Sequence, residues 1–267
     1  MVIMKLLVKK VVTLFLVFVM LMSCTAYSFA ASAANTYRTN AAGETYGTLA
    51  QAETIGYESD LILAVGENDV TGYVKSADLN AENDLSPQEA VELQKQRIAE
   101  GYTGTYVPLY DKDGETVIGR FLIAFDEEDI ARSDNATAFA NNASNRSDPP
   151  NSYYVVCPND TFLIWSEMSK RFGGVRGHTF IRVTTSPSVP KGFMGAKARV
   201  FRADDDALVR ETSWYYNEAP EREFEVSGYY ATVTNNAFYA RGYTREFNTK
   251  INDYWTHLTK KSTNINA

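Results

Sequence analysis

A chain of 267 residues with 45% hydrophobic and 22% charged residues has the composition of a globular protein, with room for one large domain or two modest ones. Its formal net charge is -7, and it becomes -10 when residues 1–30 and their three lysines are set aside, which argues against a nucleic-acid partner. The acid is unevenly spread: residues 31–150 hold 8 Lys and Arg against 21 Asp and Glu, and residues 151–267 hold 15 against 12, an asymmetry that predicts two bodies.

Residues 1–30 read as a secretory signal peptide. Lys5, Lys9 and Lys10 precede an apolar run from Val11 to Met22, and Tyr27-Ser28-Phe29-Ala30-Ala31 supplies a small-x-small exit, with cleavage expected after Ala30. The run falls short of the roughly twenty residues of a spanning helix, so no stable membrane span is expected after cleavage; an uncleaved anchor is the competing reading. Leu21-Met22-Ser23-Cys24 resembles the lipobox of bacterial lipoproteins. Lipid anchoring through Cys24 is therefore the alternative to release as a secreted, extracellular protein. Cys157 is the cysteine left after cleavage, so no internal disulfide is expected and stability must come from apolar burial.

Residues 31–40 read as a loose lead. Leu61 to Val65 and Val70 to Val74 are strand candidates around the loop Gly66-Glu67-Asn68-Asp69. Ser86, Pro87 and Glu89 spell an N-cap, a first-turn proline and a capping box, so a helix is predicted from Pro87 to its stop near Gly101. A hairpin follows, Tyr106 to Tyr110 and Thr116 to Phe125 around Asp113-Gly114. Residues 42–128 thus read as a small α+β module. Residues 129–152, rich in Asn, Ser, Ala and Asp and ending in Pro149-Pro150, read as a linker with three Asn-x-Ser/Thr sequons at Asn135, Asn142 and Asn145.

Residues 153–267 read as a β-sandwich domain. Strands are expected at Tyr153 to Cys157, Thr161 to Trp165, His178 to Thr184 and Ile251 to Leu258, with Gly173-Gly174 and Gly177 bending the chain. Between Gly192 and Asn248 the period of two marks four more. One carries Met194, Ala196, Ala198 and Val200 on a single side. The last sets Phe238, Ala240, Gly242 and Thr244 against Tyr239, Arg241, Tyr243, Arg245 and Phe247. The fold class expected is mainly β: a C-terminal antiparallel β-sandwich preceded by the small α+β module.

No phosphate loop, Gly-x-Ser-x-Gly elbow or His-Glu-x-x-His motif occurs, and no cofactor is expected. Cys157 with His178, oriented by Asn159 or Asp160, is a chemically competent nucleophile pair, but no helix start follows Cys157 to activate it; the preferred reading is a buried small hydrophobe. No metal site is expected: the histidines lack His-x-x-x-His spacing, and Asp111-Lys112-Asp113-Gly114-Glu115 lacks an EF-hand's later glycine and acid. Weak surface calcium binding at Asp204-Asp205-Asp206 stays open.

The row Tyr239, Arg241, Tyr243 and Arg245, with Trp214 on a partner strand, is the candidate binding site. Exposed, its rings and guanidinium groups would hold sugars or an anionic wall polymer. The alternative packs the rings across strands and pairs the arginines with Glu223, Glu225 or Glu246.

The stretches DLILAVGENDVTGYVKSADL, SPQEA and VPLYDKDGETVIGRF resemble a module at the front of small secreted proteins of Gram-positive bacteria. VPKGFMGAKARVF, ETSWYYN and AFYARGYTREFN resemble the β-rich domain of uncharacterised exported proteins of the same group, and the AKARV and SWYYN neighbourhoods are distantly similar to lactococcin-type bacteriocin sandwiches. The resemblance implies an exported Gram-positive protein and carries no catalytic residue. The function expected is a secreted, non-enzymatic envelope protein whose sandwich binds a cell-wall component, glycan or protein. A bacteriocin-like or toxin-like effector with an acidic partner module is the alternative, and a Cys-dependent hydrolase the second.

Overall fold

Turn and cap chemistry sets the first half of the chain. The computed structural model describes residues 36–81, 85–125, 148–232 and 235–267. Strands β1 (Arg38–Thr39) and β2 (Thr45–Gly47) lead into helix α1 (Leu49–Ile55), capped by Thr48 with Gln51 and ended by Gly56 at φ 95°. β3 (Leu61–Val65) and β4 (Thr71–Lys75) form the expected antiparallel pair. α2 (Ser76–Leu79) and α3 (Pro87–Ala99) follow. At the start of α3 the Ser86 N–H donates to Glu89 Oε2 (2.9 Å) and Pro87 takes the first turn, as the capping pattern requires. β5 (Gly104–Tyr110) and β6 (Val117–Ala124) make the second hairpin, where Gly114 supplies a φ of 74°.

The second half is nearly all strand: β7 (Tyr153–Val156), β8 (Thr161–Arg171), β9 (Gly174–Val183), β10 (Met194–Lys197), β11 (Arg199–Arg202) and β12 (Leu208–Thr212). Then come β13 (Tyr215–Tyr216), β14 (Glu223–Ala231), β15 (Ala237–Ala240), β16 (Tyr243–Asn248), β17 (Asp253–Leu258) and β18 (Ile265–Asn266). The protein is mainly β, with several sheets. The signal at 1–30, Cys24, the sequons and most of the expected linker at 129–152 lie outside the described residues.

Strands from both halves share one sheet, ordered β1-β2-β3-β4-β5-β6-β12-β11-β15-β18. β12 pairs in parallel with β6 (Glu211 opposite Ile123) and also with β3 (Leu208 opposite Ala64), so β3 to β6 and β12 close into a ring. One core, including Ile62, Val74, Leu109, Phe121, Phe201, Leu208 and Tyr239, draws on residues from both sides of 129–152. From Arg38 to Ala267 the chain is one compact unit.

Two antiparallel sheets of four strands complete the fold, β13-β10-β16-β17 and β14-β9-β8-β7. Phe162, Ile164, Ile181, Val183, Phe224 and Val226 of the second pack against Met194, Ala196, Ala198 and Tyr215. β8 and β9 run longer than their apolar pattern suggests, and β9 passes straight through Gly177. A Cβ there would stand 2.7 Å from Val200 Cγ2, so the glycine permits close approach instead of bending the strand.

Two runs that read as single strands each divide between sheets. One breaks at Ala198, between β10 and β11, and the other at Arg241-Gly242, between β15 and β16. At the second corner a Gly242 Cβ would meet Thr179 Oγ1 at 2.0 Å and the Lys197 carbonyl oxygen at 2.3 Å, so only glycine fits. Among the described residues, no helix is long and apolar enough to cross a membrane.

Candidate functional site

The residues of the expected binding row do not form an open face. Tyr239 is buried in the ring core, stacked on Phe201 at 5.1 Å, and its hydroxyl donates to Asp206 Oδ1 (2.9 Å). Arg241 is buried and donates to the Thr259 carbonyl (3.0 Å) and the Leu49 carbonyl (3.1 Å). Arg245 lies on the buried Trp214 ring, 3.4 Å from its centroid, and donates to the Tyr216 hydroxyl (2.8 Å). Tyr243 reaches Glu58 with its hydroxyl. The corner at Gly242 is the reason: it sends Tyr239 and Arg241 to one sheet's end while Tyr243, Arg245 and Trp214 gather at another. The carboxylates expected to pair with these arginines meet the following groups. Glu223 accepts from Arg182, and Glu225 and Glu246 face His178 and His257.

Beside Tyr243 lies a buried ionic network. Lys197 Nζ donates to Glu211 Oε1 (2.6 Å) and to the Leu79 carbonyl (2.5 Å); Arg199 donates to Glu211 Oε2 (2.7 Å) and to Glu58 Oε1 (2.7 Å). Burial by itself would raise the Glu58 carboxyl, but the Arg199 guanidinium and the Tyr243 hydroxyl outweigh it and hold that carboxyl below its usual range. Burial pushes the Lys197 amine down, with Glu211 opposing the effect. Two carboxylates thus answer two cations, and the network ties Glu58 and Leu79 of the first half to β10, β11 and β12.

A cavity of about 190 Å³ opens where the turn between β7 and β8 meets the loops before β10 and after β16. The turn is closed by the Cys157 N–H donating to the Asp160 carbonyl (2.9 Å). Phe162, Phe193, Phe247, Pro158 and Pro190 wall the cavity, and Asn159, Asp160, Asn248 and Thr249 add polar groups. Phe193 and Phe247 meet edge to face at 5.2 Å. Asp160 Oδ1 accepts from the Thr185 hydroxyl (2.9 Å) and Asn248 Oδ1 from the Lys250 N–H (3.0 Å), which fixes both side chains.

Cys157 belongs both to this wall and to a cluster behind it. Its thiol donates to Glu246 Oε1 (2.7 Å), which also lies 2.8 Å from His257 Nε2. Burial, reinforced by Glu246, pushes the Cys157 thiol up, so it is protonated at neutral pH and is not a ready nucleophile. Glu246 is 2% exposed, and its Oε2 has no hydrogen-bond partner among the described residues.

His178 is placed elsewhere. Its Nε2 is 2.7 Å from Ser169 Oγ and its Nδ1 is 2.7 Å from Glu225 Oε1, a serine–histidine–carboxylate line across β8, β9 and β14. Ser169 is exposed, His178 is buried, and Arg176 stands opposite Ser169 in register. Sequence reasoning offered Glu225 and Glu246 as partners for the arginines, and did not join them to His178, Cys157, Ser169 or His257, because nothing local marks these meetings. The carboxylates of Asp205 and Asp206 are engaged by Arg202 and by the Tyr239 hydroxyl.

Fold and site together define a mainly β protein with a small aromatic cavity. In comparisons with protein-family models, curated proteins and solved structures, nothing matches this chain.

Proposed function

We propose that this is an exported, non-enzymatic binding protein of the cell envelope or its surroundings, and that the aromatic cavity takes one ring of a cell-wall glycan. The cavity carries the reading: phenylalanine and proline walls suit the apolar face of a sugar, and fixed Asn, Asp and Thr groups suit its hydroxyls. The packed core between β14-β9-β8-β7 and the facing strands supports a β-sandwich, with α3 and the first two hairpins as an α+β module whose sheet continues into the second half. The basic-then-apolar pattern of residues 1–30 and the resemblance to exported Gram-positive proteins support the location. Retention of the purified protein on isolated Gram-positive walls, reduced by Phe193→Ala, is the expected result. Equal passage of wild type and variant through the wall fraction would count against it.

A second reading rests on Ser169, His178 and Glu225. Their two 2.7 Å contacts are those of an activated serine, in which the imidazole takes the hydroxyl proton and the carboxylate orients it. Covalent labelling of Ser169 by a fluorophosphonate, lost in His178→Gln, is the outcome that would favour a hydrolase; an unlabelled, folded protein removes it.

A further inference from the structure

We propose that Cys157, Glu246 and His257 form a binding site for a zinc ion. The three side chains come from the turn after β7, from β16 and from β17, and their candidate ligand atoms all lie within 4.8 Å of one another. Thiolate, carboxylate and imidazole are the donors zinc takes, at roughly 2.0 to 2.3 Å from the metal, so a single ion can reach all three with small adjustments. The cross-strand pairing of β16 and β17 places Glu246 and His257 on rigid neighbours, with Glu246 opposite Trp255 and Thr244 opposite His257.

An independent observation points to a missing ligand. Glu246 is among the most sealed acidic side chains of the second half, yet Oε2 makes no hydrogen bond among the described residues while Oε1 faces both the thiol and the imidazole. A buried carboxylate oxygen without a partner is costly. A cation held by Oε2 or by both oxygens relieves that cost. The contrast with Glu211 is direct, because both oxygens of Glu211 are met by cations.

The charges balance on binding. The Cys157 S–H proton passes to solvent as the zinc–sulfur bond forms, and the thiolate and the Glu246 carboxylate neutralise the two positive charges. The His257 Nε2 proton, which faces Glu246 before binding, is given up to solvent while Nδ1 takes one, so the neutral imidazole offers its Nε2 lone pair with no net change of protons. A water or a group of the cavity's occupant takes the fourth position of a tetrahedral ion. Cys157 also lines the cavity, so the metal would sit beside whatever the cavity holds. The metal proposal stands whether or not the cavity binds a glycan.

The test uses the purified protein, stripped with a chelator and titrated with zinc against a chromophoric competitor and, in parallel, with cobalt(II). One equivalent bound, with a thiolate-to-cobalt charge-transfer band, is expected. Cys157→Ser should abolish the band, and His257→Gln should weaken zinc binding at least as much as loss of a supporting partner does, about 10- to 100-fold. Folding of each variant is read from near-ultraviolet circular dichroism. No stoichiometric binding by the folded wild type overturns the proposal, and so does binding that Cys157→Ser leaves unchanged. Wall retention measured on the same samples separates this outcome from failure of the glycan reading.

Discussion

Two buried polar clusters lie in this molecule, and they differ in how completely their central carboxylates are answered. Around Glu211, each carboxylate oxygen meets a cation: Lys197 at 2.6 Å and Arg199 at 2.7 Å. Around Glu246, one oxygen meets a thiol and an imidazole while the other has no hydrogen-bond partner among the described residues. The first cluster joins the two halves of the chain, through Glu58 and the Leu79 carbonyl. The second shares Cys157 with a cavity wall. A carboxylate answered at both oxygens has none left for a cation, whereas one with an open oxygen keeps a ligand atom available at a cost in stability; the orphan of the Glu211 cluster among the described residues is instead a donor, Arg199 Nη2. On this contrast the Glu211 cluster is structural and the Glu246 cluster is the place to look for function.

The largest expected effect breaks the Glu211 network. Glu211→Ala leaves Lys197 without its carboxylate and Arg199 with one of two, deep in the fold, and should cost about 3–5 kcal/mol of stability by urea unfolding. A loss below about 1 kcal/mol would mean that the network does not hold the halves together.

Gly242→Ala comes next. The added Cβ must displace the Lys197 carbonyl and the Thr179 hydroxyl, and overpacking of this kind costs about 1–3 kcal/mol. Thermal unfolding checks it, and a neutral result would show the corner between β15 and β16 to be pliable.

Acid sharpens the comparison through Glu58. Its carboxyl is held below its unfolded value, so the stabilisation is full above the unfolded value and disappears as pH falls through the folded one. Urea midpoints should therefore drop on acidification below the ordinary glutamate range. Glu58→Gln should flatten that drop; an unchanged slope contradicts the assignment.

The smallest effect is expected where function is proposed. Cys157→Ser replaces the weak thiol donor to Glu246 with a hydroxyl that can make the same hydrogen bond, and should change stability by no more than about 1 kcal/mol, while metal binding disappears. A large loss of stability with no metal bound by the wild type would make the second cluster structural as well.

Part of this was legible in the chain. The Ser86 box announced α3, Asp113-Gly114 announced a hairpin, and the period of two announced strands through the second half. Locally determined features can be read because backbone sterics and caps act over a few residues. The candidate row was misleading in its geometry for the same reason. Alternation identifies two faces of a strand, but it does not say that the strand turns into another sheet at Gly242, where the constraint comes from Thr179 and Lys197 far away in sequence. The acidic first half likewise reads as a separate body, and only β12, pairing with both β3 and β6, shows the sheet to be continuous.

Residue order by itself determined the β character, the placement of α3 and the turns, since each depends on neighbours in the chain. Tertiary structure alone decided the cluster of Cys157 with Glu246, 89 residues apart, and the line of His178 with Glu225, 47 apart. Such meetings depend on which strands pair and in what register, a choice made by the packing of the whole core and written in no short segment.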